Sequence, residues 1–170
     1  MQEVEAYIGL GSNLQDPQLQ VTTAIDALEE IRNTQLIACS SMYRSKPMGP
    51  ASQPDFVNAV AKIATTLSAE ELLTALQSIE HGHRRVRGAQ RWGPRTLDLD
   101  IILFGDQEID TNRLKIPHSG MTDREFVLIP LQEIEADLII PGKGALSGLI
   151  EQLPQYELTK IETTDVESQS

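Results

Sequence analysis

The chain has 170 residues, 40% of them hydrophobic, and a formal net charge of -11 at pH 7. That is enough apolar content for one core that needs neither disulfides nor a structural metal. The acidity argues against nucleic acid as a partner, the single Cys39 excludes an internal disulfide framework, and no apolar stretch approaches the length of a membrane span. The N-terminus lacks a basic segment followed by an apolar one, so a cytoplasmic protein with no membrane partner is expected. Cys39 lies in the apolar run Leu36–Cys39, where a buried, inert thiol is expected.

Val4–Leu10 reads as a short apolar strand ending at Gly11-Ser12-Asn13. Asp16 and Pro17 supply an N-cap and a first-turn proline, and Val21, Ala24, Ile25, Leu28 and Ile31 follow at helical spacing. Leu36–Arg44 reads as a second strand, and Lys46–Gln53 is a loop rich in proline and glycine. Phe56–Thr65 alternates, with Val57, Ala59, Ala61 and Ile63 on one face and Phe56, Asn58 and Val60 on the other. Ser68 with Glu71 forms a capping box for a second helix carrying Leu72, Leu76 and Ile79, expected to end near His81 and Gly82. A basic loop follows, and Thr96–Phe104 is the fourth strand.

That order predicts an α/β (α+β) domain of ferredoxin-like βαββαβ topology, one antiparallel sheet with both helices on one face. Beyond Gly105 the chain reads as an embellishment, with a small strand near Glu108-Ile109 and helical turns near Pro130–Ile134 and Leu146–Leu153. A single domain over residues 1–158 is expected, followed by an acidic, disordered tail over 159–170 with few apolar residues.

The most informative stretch is RRVRGAQRWGPRTLDLD, Arg84–Asp100. Five of nine arginines crowd into it, and no carboxylate lies between His81 and Leu97 of a strongly acidic chain. Arginine forks match phosphate oxygens, and hard carboxylate oxygens hold Mg²⁺. In a strand, Asp98 and Asp100 project together roughly 6.5–7 Å apart while Leu97, Leu99 and Ile101 face the other way. A bare D-x-D strand is usually only a solvated face, but next to a cationic loop it favours a pair of metals on a polyphosphate.

Familiar nucleotide signatures are lacking. Gly9 and Gly11 make a GxG, but Leu14 occupies the third glycine position, and there is no GxxxxGK[ST] loop. A nucleotide here must be held by side chains and metal. His118 and Arg124, in IPHSGMTDREF, are candidates to reach a phosphate, against the plainer reading of a surface histidine. The helix dipole accounts for His81 and His83.

Three segments carry a resemblance: YIGLGSN (Tyr7–Asn13), PMGPASQPDFVNA (Pro47–Ala59) and RWGPRTLDLDI (Arg91–Ile101). Over about Ala6 to Pro141 the chain resembles the 6-hydroxymethyl-7,8-dihydropterin pyrophosphokinase family of folate biosynthesis. The resemblance implies the ferredoxin-like fold and transfer of diphosphate from ATP to the pterin hydroxymethyl group, with release of AMP. It further implies that Asp98 and Asp100 hold two Mg²⁺ ions and that Arg85 and Arg95 bind phosphate. By the same resemblance Arg87 and Trp92 lie on a loop that closes over the nucleotide, and Gln77, Glu80, Ile101, His118 and Arg124 are further ATP contacts.

For the pterin, the resemblance implies that Asn58 bonds the ring edge and that Phe56 and Phe126 sandwich the ring, with Ser45, Pro47 and Met48 beside it. The two are among only three phenylalanines, and Phe56 shares a strand face with Asn58, although ordinary core packing would also account for them. Some positions depart from the family pattern. Phe56 stands where a tyrosine is also found, Ser119 follows His118 where a tyrosine is common, and Gly88 and Gln90 make the arginine loop more flexible and less charged. A monomer is expected. Two alternatives stay open at this point: a non-catalytic ferredoxin-like module that senses nucleotide or metal, and a small-alcohol kinase that releases ADP.

Overall fold

A computed structural model describes residues 3–13, 16–45, 56–86, 97–154 and 158–161, without the side chains of residues 83–86. The first strand, β1 (Val4–Ser12), leads into α1 (Pro17–Glu29), with Pro17 in the first turn. Asp16 occupies the expected cap position but does not cap with its side chain. Its φ of 56° is left-handed, and its carbonyl accepts the Gln20 N–H instead.

The expected second strand is two strands, β2 (Thr34–Cys39) and β3 (Tyr43–Ser45), both antiparallel to β4 (Phe56–Thr65). The break has a local cause. Ser40 N–H donates to the Val60 carbonyl, and Ser40 Oγ then accepts the Val60 N–H in place of a backbone carbonyl. Cys39 is exposed rather than buried, because odd-numbered β2 positions face outward. Partial burial, reinforced by Glu133 and Glu29, still holds its thiol above the usual range.

The Ser68–Glu71 capping box forms as read: Ser68 N–H donates to Glu71 Oε1 at 2.9 Å and Glu71 N–H to Ser68 Oγ at 3.1 Å. The helix it starts, α2 (Ala69–Val86), runs a full turn past the expected end at His81-Gly82. The fourth core strand, β5 (Leu97–Phe104), completes the βαββαβ order.

All pairings in the main sheet are antiparallel, with β3–β4–β1–β5 side by side and β2 sharing the β4 edge with β3. One face is the core expected from the pattern. Ala6, Ile8 and Leu10 meet Val57, Ala59, Ile63, Leu97, Leu99 and Ile101, and are covered by Val21, Ala24 and Leu28 of α1 and Leu72 and Leu76 of α2.

The segment after Gly105 is more than an embellishment. It contains the hairpin β6 (Ile109–Asp110) with β7 (Lys115–Ile116), then α3 (Glu125–Ile134), the pair β8 (Ile139–Ile140) and β9 (Gly144–Ala145), and α4 (Leu146–Glu151). Together α3 and α4 build a second core on the opposite sheet face, where Val127, Leu128, Leu131 and Leu146 pack on Tyr7, Val60, Ile102 and Leu103. A bulge opposite Tyr7 and Ile8 turns Ile102 and Leu103 to this same face, which ends the alternation of β5.

The C-terminal end of α3 is pinned by its carboxylates. Glu135 accepts from Tyr7 Oη at 2.6 Å and Lys62 Nζ at 3.0 Å, and Glu133 accepts from Tyr43 Oη at 2.7 Å and from Ser41. The first residues of the expected tail are ordered in the sheet. Leu158–Lys160 form β10, an edge strand on β3, and residues 162–170 lie outside the described residues. No helix among the described residues is long and apolar enough to cross a membrane.

Candidate active site

Beside α3, on the same sheet face, lies a cavity of about 480 Å³, floored by β5, β1 and β4. Strand register dictates what faces it. Asp98 pairs with Gly11, Gly11 with Asn58, and Asn58 with Tyr43, so a single row crosses four strands. The next row in the direction of α3 runs Asp100, Gly9, Val60. With strands about 4.7–4.9 Å apart, Asp98 and Asn58 stand roughly 9–10 Å from each other across a glycine.

The two glycines are what sequence reasoning missed. Along the chain their GxG reads only as a failed dinucleotide fingerprint, whereas in the sheet it leaves two positions of the cavity floor without side chains. A Cβ at Gly11 would lie 3.0 Å from Asn58 Oδ1, and one at Gly9 would lie 3.1 Å from Ile102 Cδ1. The available signal was two glycines at i and i+2 in an apolar strand, which empties one face of side chains.

At the carboxylate end, Asp98 and Asp100 are exposed, while Leu97, Leu99 and Ile101 are buried on the far face. Among the described residues no three His, Cys, Asp or Glu side chains converge to form a closed metal cage. Two carboxylates on an open floor suit a hard cation such as Mg²⁺, which takes one or two carboxylates and completes its shell with phosphate oxygens and water.

Beside them, His118 is held by its own backbone, whose N–H donates to the Ile102 carbonyl at 3.0 Å, while its Nδ1 accepts the Gly120 N–H at 3.1 Å. Burial keeps its imidazole below the usual pKa, with Asp100 opposing and Arg124 reinforcing. Neutral and with Nδ1 accepting, the ring presents Nε2–H as a donor. Arg124 is exposed at the rim, and its guanidinium fills the space a Cβ on Gly120 would need, at 3.0 Å.

The other end of the cavity is aromatic and amide-lined. Phe56, from β4, and Phe126, from the first turn of α3, both line it half-buried, and Arg124 lies 5.8 Å from the Phe126 ring centroid. Asn58 is buried and donates from Nδ2 to Ser45 Oγ at 2.7 Å. That bond orients the amide, so its remaining hydrogen-bonding groups have a set direction. Asp123 and Glu125 also reach the cavity, on either side of Arg124, and were not anticipated.

The cavity thus gathers Asp98, Asp100, His118, Arg124, Ser45, Phe56, Asn58 and Phe126 of the expected residues. Three others stand apart. Gln77 is exposed on α2, Ile101 contributes its side chain to the core, and the Glu80 carboxylate accepts the Leu99 N–H at 2.7 Å. Pro47, Met48, Arg87, Trp92 and Arg95 lie outside the described residues, as does the side chain of Arg85.

Fold and site together define a ferredoxin-like α+β domain with paired carboxylates and an aromatic-walled cleft on its open sheet face. The sequence model of the 7,8-dihydro-6-hydroxymethylpterin-pyrophosphokinase (HPPK) family matches residues 7–136, and the chain belongs to that family. It is 49% identical over 158 residues to the 2-amino-4-hydroxy-6-hydroxymethyldihydropteridine pyrophosphokinase of Haemophilus influenzae, covering 93% of this chain and 98% of that one. To the protein of the same name from Pseudomonas aeruginosa it is 51% identical over 148 residues, with 87% and 91% covered. Among solved structures, a Plasmodium falciparum HPPK-DHPS triple mutant superposes with a TM-score of 0.70 at 14% identity over 89% of this chain. That likeness speaks for the fold, and the chain spans 44% of the length of the Plasmodium chain.

Proposed function

We propose that this protein transfers the diphosphate of ATP to the hydroxymethyl group of 6-hydroxymethyl-7,8-dihydropterin, a step of folate biosynthesis, and releases AMP. Membership of the family carries the reaction. The observation that supports the arrangement of the site is the row Asp98–Gly11–Asn58, which joins a phosphate end to a ring end across a glycine.

In this reading Phe56 and Phe126 stack on the two faces of the pterin, and Asn58, oriented by Ser45, bonds its edge. The ring then points its hydroxymethyl arm along the glycine floor toward Asp98 and Asp100. These two carboxylates hold Mg²⁺, two ions in the full site, which supplies neutralising charge to the triphosphate when bound. His118 donates from Nε2 to an anionic oxygen, and Arg124 at the rim adds charge, as do Arg85, Arg87 and Arg95. Gln77 and Trp92, with the backbone of Ile101, complete the nucleotide contacts, and Pro47 and Met48 those to the pterin.

The alcohol oxygen attacks the β-phosphorus, the bond from that phosphorus to the α,β-bridging oxygen breaks, and AMP leaves with that oxygen. Asp100 or water takes the alcohol proton. Catalysis in such a transfer rests on positioning and on charge stabilisation. Phosphorus NMR of the protein with ATP, Mg²⁺ and the dihydropterin tests the reaction. AMP and a pterin diphosphate in equal amounts are expected. Stoichiometric ADP would make the protein an ordinary kinase, and bound nucleotide without turnover would make it a sensor.

A further inference from the structure

Among the described residues β5 pairs with β1 alone and so ends its side of the sheet. Edge strands fray and slip unless their outward backbone groups are occupied. Two such groups on β5 are taken by other parts of the chain. Leu99 N–H donates to Glu80 Oε2 at 2.7 Å, and the Ile102 carbonyl accepts the His118 N–H at 3.0 Å. Leu99 is the residue between Asp98 and Asp100, so the Glu80 carboxylate grips the backbone that joins the two aspartates.

We infer that Glu80 is a positioning residue for the aspartate pair, acting through the Leu99 amide rather than on the nucleotide. The inference rests on the reading of Asp98 and Asp100 as the metal-holding pair. Three physical points carry it. A bond from an amide to a carboxylate is charge-assisted and about twice as strong as a neutral one. The pitch between the two carboxylates exists only while this stretch stays extended, and β5 already bulges just beyond it, at Ile102. A slip of one residue would turn Asp98 and Asp100 into the core and Leu99 outward. Glu80 also sits in α2 four residues before Arg84, where the arginine-rich stretch begins. One bond therefore ties the root of that stretch to the strand bearing the carboxylates.

The test compares Glu80→Ala and Glu80→Gln, since glutamine keeps an acceptor oxygen and loses only the charge. In ligand-free protein, amide exchange at Leu99 should be about 10- to 100-fold faster in Glu80→Ala than in wild type, the loss expected for one charge-assisted bond. In turnover, Glu80→Ala should lower kcat and raise the Mg²⁺ concentration for half-maximal rate, each by about tenfold or more, with KM for ATP changed by less than about threefold. Glu80→Gln should recover most of both losses. A raised KM for ATP with unaltered kcat and Mg²⁺ dependence would make Glu80 a nucleotide contact and overturn the inference. Equal Leu99 exchange in wild type and Glu80→Ala would overturn it too, as would a glutamine variant as impaired as the alanine. If Glu80→Ala fails to fold, Leu99 exchange in wild type and Glu80→Gln decides: a protected amide in both is expected, and an unprotected one in wild type overturns it. Exchange requires no turnover, so it stays informative even if the wild type releases no AMP.

Discussion

Replacing Gly11 with alanine puts one methyl group on the floor of the cavity and probes the site without touching a charged residue. The added Cβ would lie 3.0 Å from Asn58 Oδ1 and 4.0 Å from Phe56 Cδ1. Carbon and oxygen approach no closer than about 3.3 Å without cost, so the amide must retreat by a few tenths of an ångström. It has little room, because Asn58 is 4% exposed and its Nδ2 is held by Ser45 at 2.7 Å. Straining or losing that bond costs about 0.5–1.5 kcal/mol. Alanine in place of glycine inside a strand returns about 0.5–1 kcal/mol, so global stability should stay within about 1 kcal/mol of wild type.

Binding has no such compensation. The methyl lifts the ring off the floor and turns the amide that reads its edge, at a cost of about 1.5–3 kcal/mol, or roughly 10- to 150-fold in Kd. Calorimetry of the dihydropterin in the presence of a nonhydrolysable ATP analogue measures it, with urea melts as the control for stability. Gly9→Ala is the internal comparison. Its Cβ meets the terminal methyl of Ile102 at 3.1 Å rather than the amide that reads the ring edge, so its effect on pterin binding should be smaller. A Gly11→Ala protein that binds the pterin as wild type does would refute a ring lying across this floor.

Asp98→Ala and Asp100→Ala should each lower kcat by at least about 100-fold while the protein melts as before, because the buried residues of β5 face away from them; near-wild-type turnover in either would remove the metal reading. Phe126→Ala should weaken pterin binding by the worth of one stacked ring, about 1–3 kcal/mol, and leave ATP binding almost unchanged, as calorimetry can show. Tyr7 supplies a pH test. Burial, with the bond to Glu135, pushes its pKa up to about 12. Its unfolded value is about 10, so the folded protein holds this proton more tightly, and the associated stability is present below about pH 10 and lost as pH rises through about 12. The gap in stability between wild type and Tyr7→Phe should therefore shrink by on the order of 2 kcal/mol between about pH 9 and pH 12, measured by denaturant melts. A constant gap would mean that Tyr7 titrates normally.

Much of this architecture is written in short-range pattern. Period-two alternation put Val57, Ala59, Ala61 and Ile63 on one face of β4 and Asn58 with Phe56 on the other, and the structure agrees. The same rule set Asp98 beside Asp100, and the pairing of Ser68 with Glu71 marked the start of α2. These properties belong to a few consecutive residues and to the geometry of one strand or one helix turn, so they need no knowledge of neighbours. What lay beyond reach depends on partners distant in the chain. The break at Ser40 requires Val60 opposite it, and the exposure of Cys39 follows from the way β2 sits on β4. The role of Gly9 and Gly11 appears only when register lines them up with Asp100 and Asp98 on one side and Val60 and Asn58 on the other. Helix α3 decides how much of that face stays open, and the reach of Glu80 to Leu99 decides what steadies the aspartates. Side-chain periodicity is local and survives in sequence; cross-strand register and the covering of a sheet face are set by contacts between segments many residues apart, and only the folded chain settles them.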